Sequence, residues 1–405
     1  MPCGMENMKT LVTSAAIAAL AAGSAQAGGL DRALTPYGAL FEDGSYAELS
    51  FSSVSPKVQG EYPAGLGGGA TGDMANDYSQ FGFAYKQDLS PALSLGLFYN
   101  QPFGASAAYT QGPYTGLAAT WESDQIAAVL KYRVNDRVSV FGGLKAVKSN
   151  AEIAIPDTIL RGSFQDAADA LSALPSRTPE QEAQLTQLNG LLAAPSLDYS
   201  AVGSADTQPA LIIGAAYEIP DIALRVALSY ETGFTHEIDT VETWAAFGAG
   251  NPLSTVTEID LPQSLRLDFQ SGVAQNTLVF GSIRWTEWST WEVKPPGYFG
   301  VTNDNVTELS NDVMTYQIGV AQRFNESLSA FARFGYEKAN GGVASRLTPT
   351  DGSKSLGVGL NITRDNINIR TGIEYVKVGD ATDGSGVEFS GNDAIGFGVS
   401  VGINF

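Results

Sequence analysis

The chain almost lacks cysteine and histidine. Its 405 residues include one cysteine, Cys3, and one histidine, His236. A single cysteine cannot form an intrachain disulfide or a cysteine-based metal site, and a histidine triad or cluster would have to be built around His236 alone. No nucleophile motif lies near His236, so we predict a protein that is not an enzyme and that has no cofactor and no metal centre. His236 lies at the border of a predicted strand and a predicted loop, where we expect a surface polar role.

Long apolar runs and charged residues are also scarce. After the N-terminus no apolar stretch is long enough for a transmembrane helix, which takes about 18 residues or more. Charged residues make up 16% of the chain, which is low for a soluble protein of this size. The formal net charge is −20, which argues against nucleic acid as a partner.

The N-terminus has the pattern of a secretory signal peptide over residues 1–27. Lys9 precedes the apolar run Leu11–Ala22, and the small residues of Ala25-Gln26-Ala27 follow. A charged start, a short apolar run and a small-x-small site are typical of a cleaved signal. The mature chain would then begin near Gly28, and Cys3 would be lost. The alternative is a short buried helix.

The stretch 395–405 alternates strictly between apolar residues and small or polar ones. The apolar set is Ile395, Phe397, Val399, Val401, Ile403 and Phe405. This period of two predicts a strand with one apolar face, and its length suits a tilted strand that crosses a membrane. A face of this kind is expected where a β-barrel meets lipid.

Thirteen further segments have strand character, which predicts an all-β, membrane-spanning antiparallel barrel of 14 strands. Six short turns alternate with seven longer connections, as in outer-membrane barrels with short periplasmic turns and long external loops. The expected organisation is a plug-like segment over 28–43 and a barrel over 44–405. The predicted strands are 44–56, 76–87, 92–103, 117–133, 138–154, 206–219, 222–235, 262–273, 277–291, 312–324, 328–338, 354–364, 367–378 and 395–405.

Charged residues of the predicted strands lie opposite the apolar rows. Lys131, Arg225, Arg284, Arg333 and Arg370 all follow this parity. Placing them inside the barrel avoids a cost of about 2–4 kcal/mol for each Arg or Lys that faces lipid at the midplane. The alternative is the solvated face of a soluble sheet, which gives no reason for a signal peptide or for loop lengths sorted by parity.

Two long connections contain apolar residues. Residues 165–174 and 179–192 have helical spacing and predict a helical hairpin within a loop. The second loop, 236–261, includes Trp244 and Phe247. Farther on, Trp285, Trp288 and Trp291 end a strand, where an interfacial aromatic girdle is the expected role.

The inward parity also includes apolar residues. They indicate either a hydrophobic binding pocket or side chains that fill a narrow barrel. The predicted lumenal ligand-binding set is Phe98, Val129, Phe141, Leu278, Phe280 and Phe331, together with Arg333.

Several short motifs, in this order, resemble the FadL family of outer-membrane transporters of long-chain fatty acids and other hydrophobic compounds. The third strand ends in Pro102-Phe103-Gly104, which is similar to the Pro-Phe-Gly of that family. The segment Leu261-Pro262-Gln263-Ser264-Leu265-Arg266-Leu267, then Gly272-Val273 and Trp285-Thr286-Glu287-Trp288-Ser289, resembles the family's Leu-Pro strand and its aromatic-rich successor. The resemblance covers nearly all of the mature chain.

The resemblance implies passive transport of a long-chain fatty acid or a similar hydrophobic molecule across a bacterial outer membrane. The ligand would be captured between external loops, bound in the lumen and released sideways near a kinked third strand. The lateral gap would lie at Pro102, Phe103 and Gly104. The loop groove would be formed by Leu171, Leu174, Leu185, Leu188, Leu192, Trp244 and Phe247.

The N-terminal segment departs from the family pattern. The family's plug of about forty residues ends near an Asn-Pro-Ala, whereas this chain has only residues 28–43 before its first strand and no Asn-Pro-Ala. Leu30, Leu34, Tyr37, Leu40 and Phe41 are still expected to enter the lumen. The remaining alternative function is a general diffusion porin with a water-filled pore. Other expected partners are outer-membrane lipid and, through the C-terminal strand, the barrel assembly machinery.

Overall fold

A computed structural model describes residues 29–405, so the predicted signal peptide over 1–27 lies outside the described residues. Eighteen hydrogen-bonded segments form one closed antiparallel sheet. Four strands are interrupted once each, so the sheet is a barrel of 14 strands, as the sequence predicts. The strands are β1 (Tyr46–Lys57), β2 (Tyr78–Asp88), β3 (Leu93–Asn100 and Gly104–Ala108), β4 (Ala118–Arg133), β5 (Val138–Ile155), β6 (Tyr199–Gly203 and Asp206–Ile219), β7 (Leu224–Glu231 and Phe234–Trp244), β8 (Leu253–Leu261 and Ser264–Ala274), β9 (Thr277–Thr286), β10 (Val313–Arg323), β11 (Leu328–Glu337), β12 (Ser353–Arg364), β13 (Ile367–Val378) and β14 (Asp393–Asn404).

The barrel closes between its first and last strands. β1 pairs with β14 along its whole length, from Tyr46 opposite Asn404 to Lys57 opposite Asp393. The alternating apolar residues of β14 face outward, since Phe397 is 44% exposed and Val401 is 39% exposed. Closure of β1 on β14 pairs the two terminal strands, and the apolar outer rows suit a surrounding of acyl chains.

Charged side chains lie inside the barrel, as parity predicts. Lys131, Arg284, Arg333, Glu374 and Arg370 are all buried. Arg333 of β11 pairs with Glu374 of β13 across the intervening β12, and Arg370 pairs with Glu48 at 2.6 Å. Opposite charges therefore compensate one another within the lumen instead of facing lipid.

Short turns and long connections alternate around the barrel. The long-loop end holds three α-helices, α1 (Asp157–Ser172), α2 (Pro179–Leu192) and α3 (Pro296–Thr302). The hairpin of α1 and α2 confirms the predicted helical pair, although α1 begins eight residues earlier than the predicted 165. Short strands in the loops are Gly60–Glu61, Glu292–Val293, Thr307–Glu308, Val343–Ala344, Ala381–Asp383 and Glu388–Phe389. Among residues 29–405, no helix is long and apolar enough to cross a membrane.

A local failure of pairing at Pro102, which has no N–H to donate, is predicted from the sequence and confirmed: the third strand stops after Asn100 and resumes at Gly104. The predicted strand 277–291 is too long, because β9 ends at Thr286. The predicted loop 236–261 is largely a β-hairpin, in which β7 runs on to Trp244 and β8 begins at Leu253. Its alternation consists mainly of polar residues, so it lacks the apolar row that marks a lipid-facing strand.

Buried apolar residues form two main clusters at different levels. A large cluster fills the long-loop end and includes Trp121, Trp244 and Trp288. A smaller one lies lower in the lumen, where Tyr37 and Leu40 of the N-terminal segment pack against the wall. The N-terminal segment thus lies inside the barrel and contacts both levels.

Candidate functional site

The helical hairpin at the long-loop end is fixed by its own polar residues. α2 begins after Thr178, whose hydroxyl accepts from the Gln181 N–H while the Thr178 N–H donates to the Gln181 side chain. This reciprocal pair satisfies two N–H groups that a helix start leaves free. At the other end, Arg161 of α1 donates to the carbonyls of Leu192 and Ala194, just where α2 ends.

Asp157 at the start of α1 completes this clamp. Its carboxylate accepts from Arg161 and also from the Leu197 N–H at 2.6 Å. The hydrogen bond from Arg161 is the largest influence on the carboxyl group and lowers the pKa of Asp157 below its usual value. Asp157 is therefore ionised at neutral pH and holds both helices in one orientation.

The hairpin forms one wall of a surface cavity of about 720 Å³, which we call the outer groove. α3 and residues 343–347 form the opposite wall. Its apolar lining includes Leu117, Ile155, Ile159, Leu160, Phe164, Ala167, Leu188, Leu191, Val301, Val343 and Leu347. Its polar rim includes Gln184, Gln187, Asn303, Asp304, Glu308 and Arg346. The groove is therefore amphipathic and of the size of a small-molecule site.

Leu188 is the one member of the predicted groove set that lines the outer groove. Leu171, Leu185 and Leu192 pack partly buried against the large cluster. Leu174 is exposed beyond the end of α1. The groove instead uses residues from the other face of the hairpin, notably Ile159 and Leu191. Helical spacing found the hairpin, but it did not indicate which apolar face would stay open.

Trp244 lies beneath the outer groove and is fully buried. Its ring stacks between Phe164 at 5.9 Å and Tyr298 at 5.6 Å, with Phe247 edge-on at 5.8 Å. The Trp244 indole N–H donates to the Leu197 carbonyl. Trp244 and Phe247 therefore tie α1 to the β7–β8 hairpin and to α3 instead of lining the groove.

A buried carboxylate holds α3 in place. Glu242 of β7 accepts from the Gly297 and Tyr298 N–H groups at 2.8 and 2.7 Å. It also accepts from the hydroxyls of Tyr199 and Thr255. The carboxylate thus satisfies two N–H groups at the helix start and is itself fully hydrogen-bonded. Burial of the neighbouring Tyr298 raises the pKa of its hydroxyl to about 12, so this hydroxyl is neutral at pH 7.

His236 is buried, so the predicted surface role is wrong. Its Nδ1 lies 2.8 Å from an Asp206 carboxylate oxygen, and its ring contacts Trp121 and Phe234. The prediction failed because β7 continues past His236 into the long-loop end. No group of three or more potential metal ligands occurs in the described part of the chain.

The predicted lumenal residues all point inward but form two separate groups. Phe98, Val129 and Phe141 contact the N-terminal segment, where the Tyr37 ring lies 5.8 Å from Phe98 and 5.9 Å from Phe141. Leu278, Phe280 and Phe331 form a second group elsewhere on the wall. Arg333 is engaged by Glu374. In this conformation, the first group packs against the segment.

The N-terminal segment is tied to the barrel by ion pairs that the sequence did not suggest. Asp31 accepts from both terminal nitrogens of Arg284, at 2.7 and 2.9 Å, and from the Trp288 indole N–H at 3.0 Å. The Tyr37 hydroxyl donates to Glu231, which also pairs with Lys145. Trp288 and Trp291 are buried, so the predicted aromatic girdle is wrong for these two residues.

The third strand has a local gap next to β2. β2 and the first segment of β3 pair only from Phe83 to Asp88, so Tyr78–Gly82 have no ladder partner on that side. The second segment of β3 pairs with β4, and on the other side it has only an isolated bridge from Ala107 to Ala75, just before β2 begins. We call this opening the β2–β3 gap. Two hydrogen bonds cross it: the Gln80 side chain donates to the Gln101 backbone carbonyl, and the Phe81 N–H donates to the Gln101 side-chain oxygen.

The N-terminal segment supplies the missing backbone partners at the break. The Arg32 and Ala33 N–H groups donate to the carbonyls of Pro102 and Gln101, and the Gly104 N–H donates to the Leu30 carbonyl. Phe103 packs edge-on against Trp288 at 5.6 Å. Pro102, Phe103 and Gly104, predicted to form a lateral gap, therefore lie where the N-terminal segment meets the wall.

Below this point the lumen is narrow, and charged and apolar side chains share its lining. A cavity of about 80 Å³ lies around the segment, between charges such as Arg225, Arg266 and Arg370 and rings such as Phe141 and Phe280. Arg266 pairs with Asp268 at 2.7 Å. The space holds only about two or three waters at roughly 30 Å³ each, so it is too small for a long-chain ligand while the segment is in place.

Comparison with known proteins identifies the family. The sequence profile described as "Outer membrane protein transport protein (OMPP1/FadL/TodX)" matches residues 43–384. The chain belongs to this family. A search of curated protein sequences gives no significant match.

Solved structures of FadL and TodX proteins share the fold. A Pseudomonas aeruginosa FadL homologue aligns with a TM-score of 0.66 at 14% identity, over 91% of this chain and 92% of that one. The P. putida toluene transporter TodX gives 0.62 at 14% identity, over 90% of each chain. The Ralstonia pickettii toluene transporter TbuX gives 0.57 at 14% identity, also over 90% of each.

Membership places the barrel in the bacterial outer membrane, among transport channels for hydrophobic compounds. The short turns then face the periplasm and the long loops face the exterior. The outer groove is accordingly on the external side. The N-terminal segment lies in the lumen, between the exterior and the periplasm.

Proposed function

We propose that this chain passively takes up long-chain fatty acids or similar hydrophobic molecules and releases them sideways into the membrane. The observation that carries the proposal is the β2–β3 gap. The barrel wall lacks its inter-strand ladder there, and the backbone of β3 at Gln101–Gly104 is paired by the N-terminal segment. A wall closed by a separate segment can open without breaking the strand ladder.

The chemistry of the lumen favours a sideways exit. Straight passage would take an apolar ligand past the buried pair Arg370–Glu48 and the half-buried pair Arg266–Asp268. Lipid adjoins the outer face of the gap, and transfer of apolar area from the barrel into acyl chains keeps the ligand away from water. The route through the wall therefore exposes the ligand to fewer charges than the route down the lumen.

Capture would take place in the outer groove. Its apolar walls offer burial, and its open rim allows entry from outside. The ligand would then reach Phe98, Val129 and Phe141 by displacing Tyr37 and Leu40, which now occupy that surface. The groove and the lumenal pocket are thus successive sites separated by the N-terminal segment.

We also propose that the chain has no enzymatic activity and is not a general porin. The N-terminal segment and the lumenal ion pairs leave a cavity of about 80 Å³ at mid-barrel, whereas a porin needs a continuous wet channel. Planar-bilayer recordings should show no large, steady conductance steps. Free permeation of sugars into liposomes would support the porin alternative instead.

A reversible disulfide tests the exit. Asp31 and Phe103 are opposite residues in an antiparallel bridge. Their flanking residues exchange the hydrogen bonds, so the Cα atoms are expected to lie about 4.5 Å apart, within the range of a disulfide. In the double variant Asp31→Cys/Phe103→Cys, oxidation should fix the segment across the gap and abolish uptake of a labelled fatty acid.

Reduction of the same protein should restore uptake, which separates the staple from the loss of the Asp31 side chain. The single variants Asp31→Cys and Phe103→Cys serve as matched controls and should be insensitive to oxidation. Uptake that continues in the fully oxidised double variant would rule out exit through this gap.

A further inference from the structure

Arg32 bridges the β2–β3 gap from inside the barrel. Its backbone N–H donates to the Pro102 carbonyl at 2.8 Å, and its Nε donates to the Gly104 carbonyl at 2.8 Å, so it is fixed to the break in β3. Its guanidinium carbon lies 3.2 Å from the centroid of the Tyr78 ring, at the start of β2. One arginine of the N-terminal segment therefore contacts both strands where their ladder is missing.

The Arg32 guanidinium has hydrogen-bonding capacity that the described residues do not use. Its Nη1 is buried and has no hydrogen-bond partner among residues 29–405. No carboxylate in that range lies within ion-pair distance of it, and the adjacent Asp31 is bound to Arg284 and Trp288. A buried charged donor without a partner costs free energy, and contact with an aromatic face offsets only part of that cost. The guanidinium is therefore an incomplete anion site.

Other buried cations of the lumen have an acid nearby. Four of them form direct ion pairs, which are Lys145–Glu231, Arg284–Asp31, Arg333–Glu374 and Arg370–Glu48. Lys131 and Arg225 lack an ion pair, but both interact electrostatically with Glu218. The electrostatic partner of Arg32 is Tyr78, an uncharged phenol. Within the described part of the lumen, the charge of Arg32 is thus left without a compensating acid.

Arg32 also lines the cavity of about 80 Å³ around the N-terminal segment. The charged part of the lining consists of Arg32, Arg225, Arg266 and Arg370 against Glu48 and Asp268. Glu42 lies 3.6 Å from Arg370 and, when it is ionised, reduces the excess to one positive charge. Apolar side chains such as Leu34 and Phe141 share the lining. An excess positive charge next to apolar surface suits an amphiphile with a single negative charge.

We propose that the ligand of this chain is a long-chain monocarboxylate and that Arg32 binds its carboxylate at the β2–β3 gap. The inference rests on the proposed function, because it assigns a step in the sideways exit. The carboxylate accepts hydrogen bonds from Nη1 while the tail passes through the gap into lipid. An ionised group is costly to bring into apolar surroundings without a partner, and Arg32 supplies that partner. A neutral hydrocarbon gains nothing from this contact, so the chain should prefer acids.

Competition binding to the detergent-purified full chain tests the assignment. Dodecanoate and dodecanol have the same tail, and each displaces a fluorescent fatty alcohol at a pH at which the acid is ionised. The measured quantity is the ratio of the two affinities, because its comparison between variants cancels partition into micelles. Arg32→Gln should lower the ratio of dodecanoate to dodecanol affinity about tenfold, because one charge-assisted hydrogen bond is lost. Arg32→Lys keeps the charge and should retain part of the preference. The heat-dependent shift in gel migration would show that each variant is folded.

The affinity ratio separates anion binding from a structural role. If Arg32 only ties the segment to the wall, Arg32→Gln changes the fraction of open molecules and shifts both affinities equally, so an unchanged ratio would overturn the proposal. Arg225→Gln is the matched control in the same cavity, beside the periplasmic turn, and should keep the wild-type ratio. A ratio lowered in Arg225→Gln but not in Arg32→Gln would also overturn it.

The wild-type protein distinguishes this proposal from the proposed function. Wild type that binds neither ligand would contradict both. Wild type that binds dodecanoate and dodecanol equally, with no change in Arg32→Gln, would contradict only the carboxylate assignment and leave the proposed function in place.

Discussion

Removal of the Asp31 carboxylate should release the N-terminal segment without unfolding the barrel. Asp31 is 4% exposed and makes two hydrogen bonds to Arg284 and one to Trp288. In Asp31→Ala, Arg284 keeps its charge in a buried position and loses its hydrogen-bonded carboxylate, with Glu231 and Glu337 as the remaining nearby acids. Loss of one member of a buried pair typically costs about 3–5 kcal/mol.

The barrel itself does not need this pair, because its strands are held by backbone ladders in which the Asp31 side chain takes no part. The cost should therefore fall on the local opening of the segment. At 1.4 kcal/mol for each factor of ten, opening should increase by roughly two to three and a half orders of magnitude. Hydrogen exchange measured by mass spectrometry over residues 30–41 would report this increase.

Two further variants separate charge from packing. Asp31→Asn keeps the shape and one acceptor, so its exchange should lie between wild type and Asp31→Ala. Asp31→Leu combined with Arg284→Met removes both charges and should open much less than Asp31→Ala, because no unpaired charge is left. The reasoning is refuted if Asp31→Ala leaves exchange over 30–41 unchanged, or if it accelerates exchange equally in the barrel strands.

Three other variants address the external loops. Glu242→Ala should free α3 and raise hydrogen exchange over that helix at least tenfold, because four donors lose their shared acceptor. Unchanged protection would contradict the role of Glu242 in holding α3. Because the pKa of Asp157 is lowered in the folded protein, its carboxylate stabilises the helical hairpin above pH 3.8, and this contribution is lost as the pH falls below that value. Limited proteolysis of the hairpin by pepsin should therefore accelerate below pH 3.8. Asp157→Asn should remove this pH dependence. Ile159→Ser in the outer groove should weaken binding of a fluorescent fatty acid about tenfold, because roughly 1.5 kcal/mol of apolar contact is lost. Leu174→Ser, outside the groove, should have no effect. Weaker binding in Leu174→Ser than in Ile159→Ser would favour the helix face that the sequence suggested.

The barrel wall was predictable because its pattern is local. A strand between lipid and lumen must alternate, so parity alone assigned Phe397 outward and Arg370 inward, and both assignments are confirmed. The same rule failed above the membrane, where β7 faces water instead of lipid. There the buried row of His236, Ile238 and Glu242 is mostly polar and has no apolar counterpart.

The contacts of the N-terminal segment were not predictable from the sequence. Asp31 and Arg284 are 253 residues apart, and neither belongs to a motif that names the other. Trp288 shows the same limit. It follows the end of β9 within a 3₁₀ turn, so the strand parity that suggested a girdle no longer applies and the ring turns into the interior.

The predictable barrel wall and the unpredictable N-terminal segment meet in the lumenal pocket. The predicted residues Phe98, Val129 and Phe141 contact Tyr37 and Leu40, so a ligand can reach them only in molecules whose segment has moved. The apparent dissociation constant is then the intrinsic one divided by the fraction of open molecules. Asp31→Ala raises that fraction, so it should also tighten lumenal binding of a fatty acid in detergent, up to the point at which most molecules are open. Faster exchange over 30–41 with unchanged affinity would show that the ligand binds without displacing the segment, and that these three side chains serve to pack the segment and not to bind the ligand.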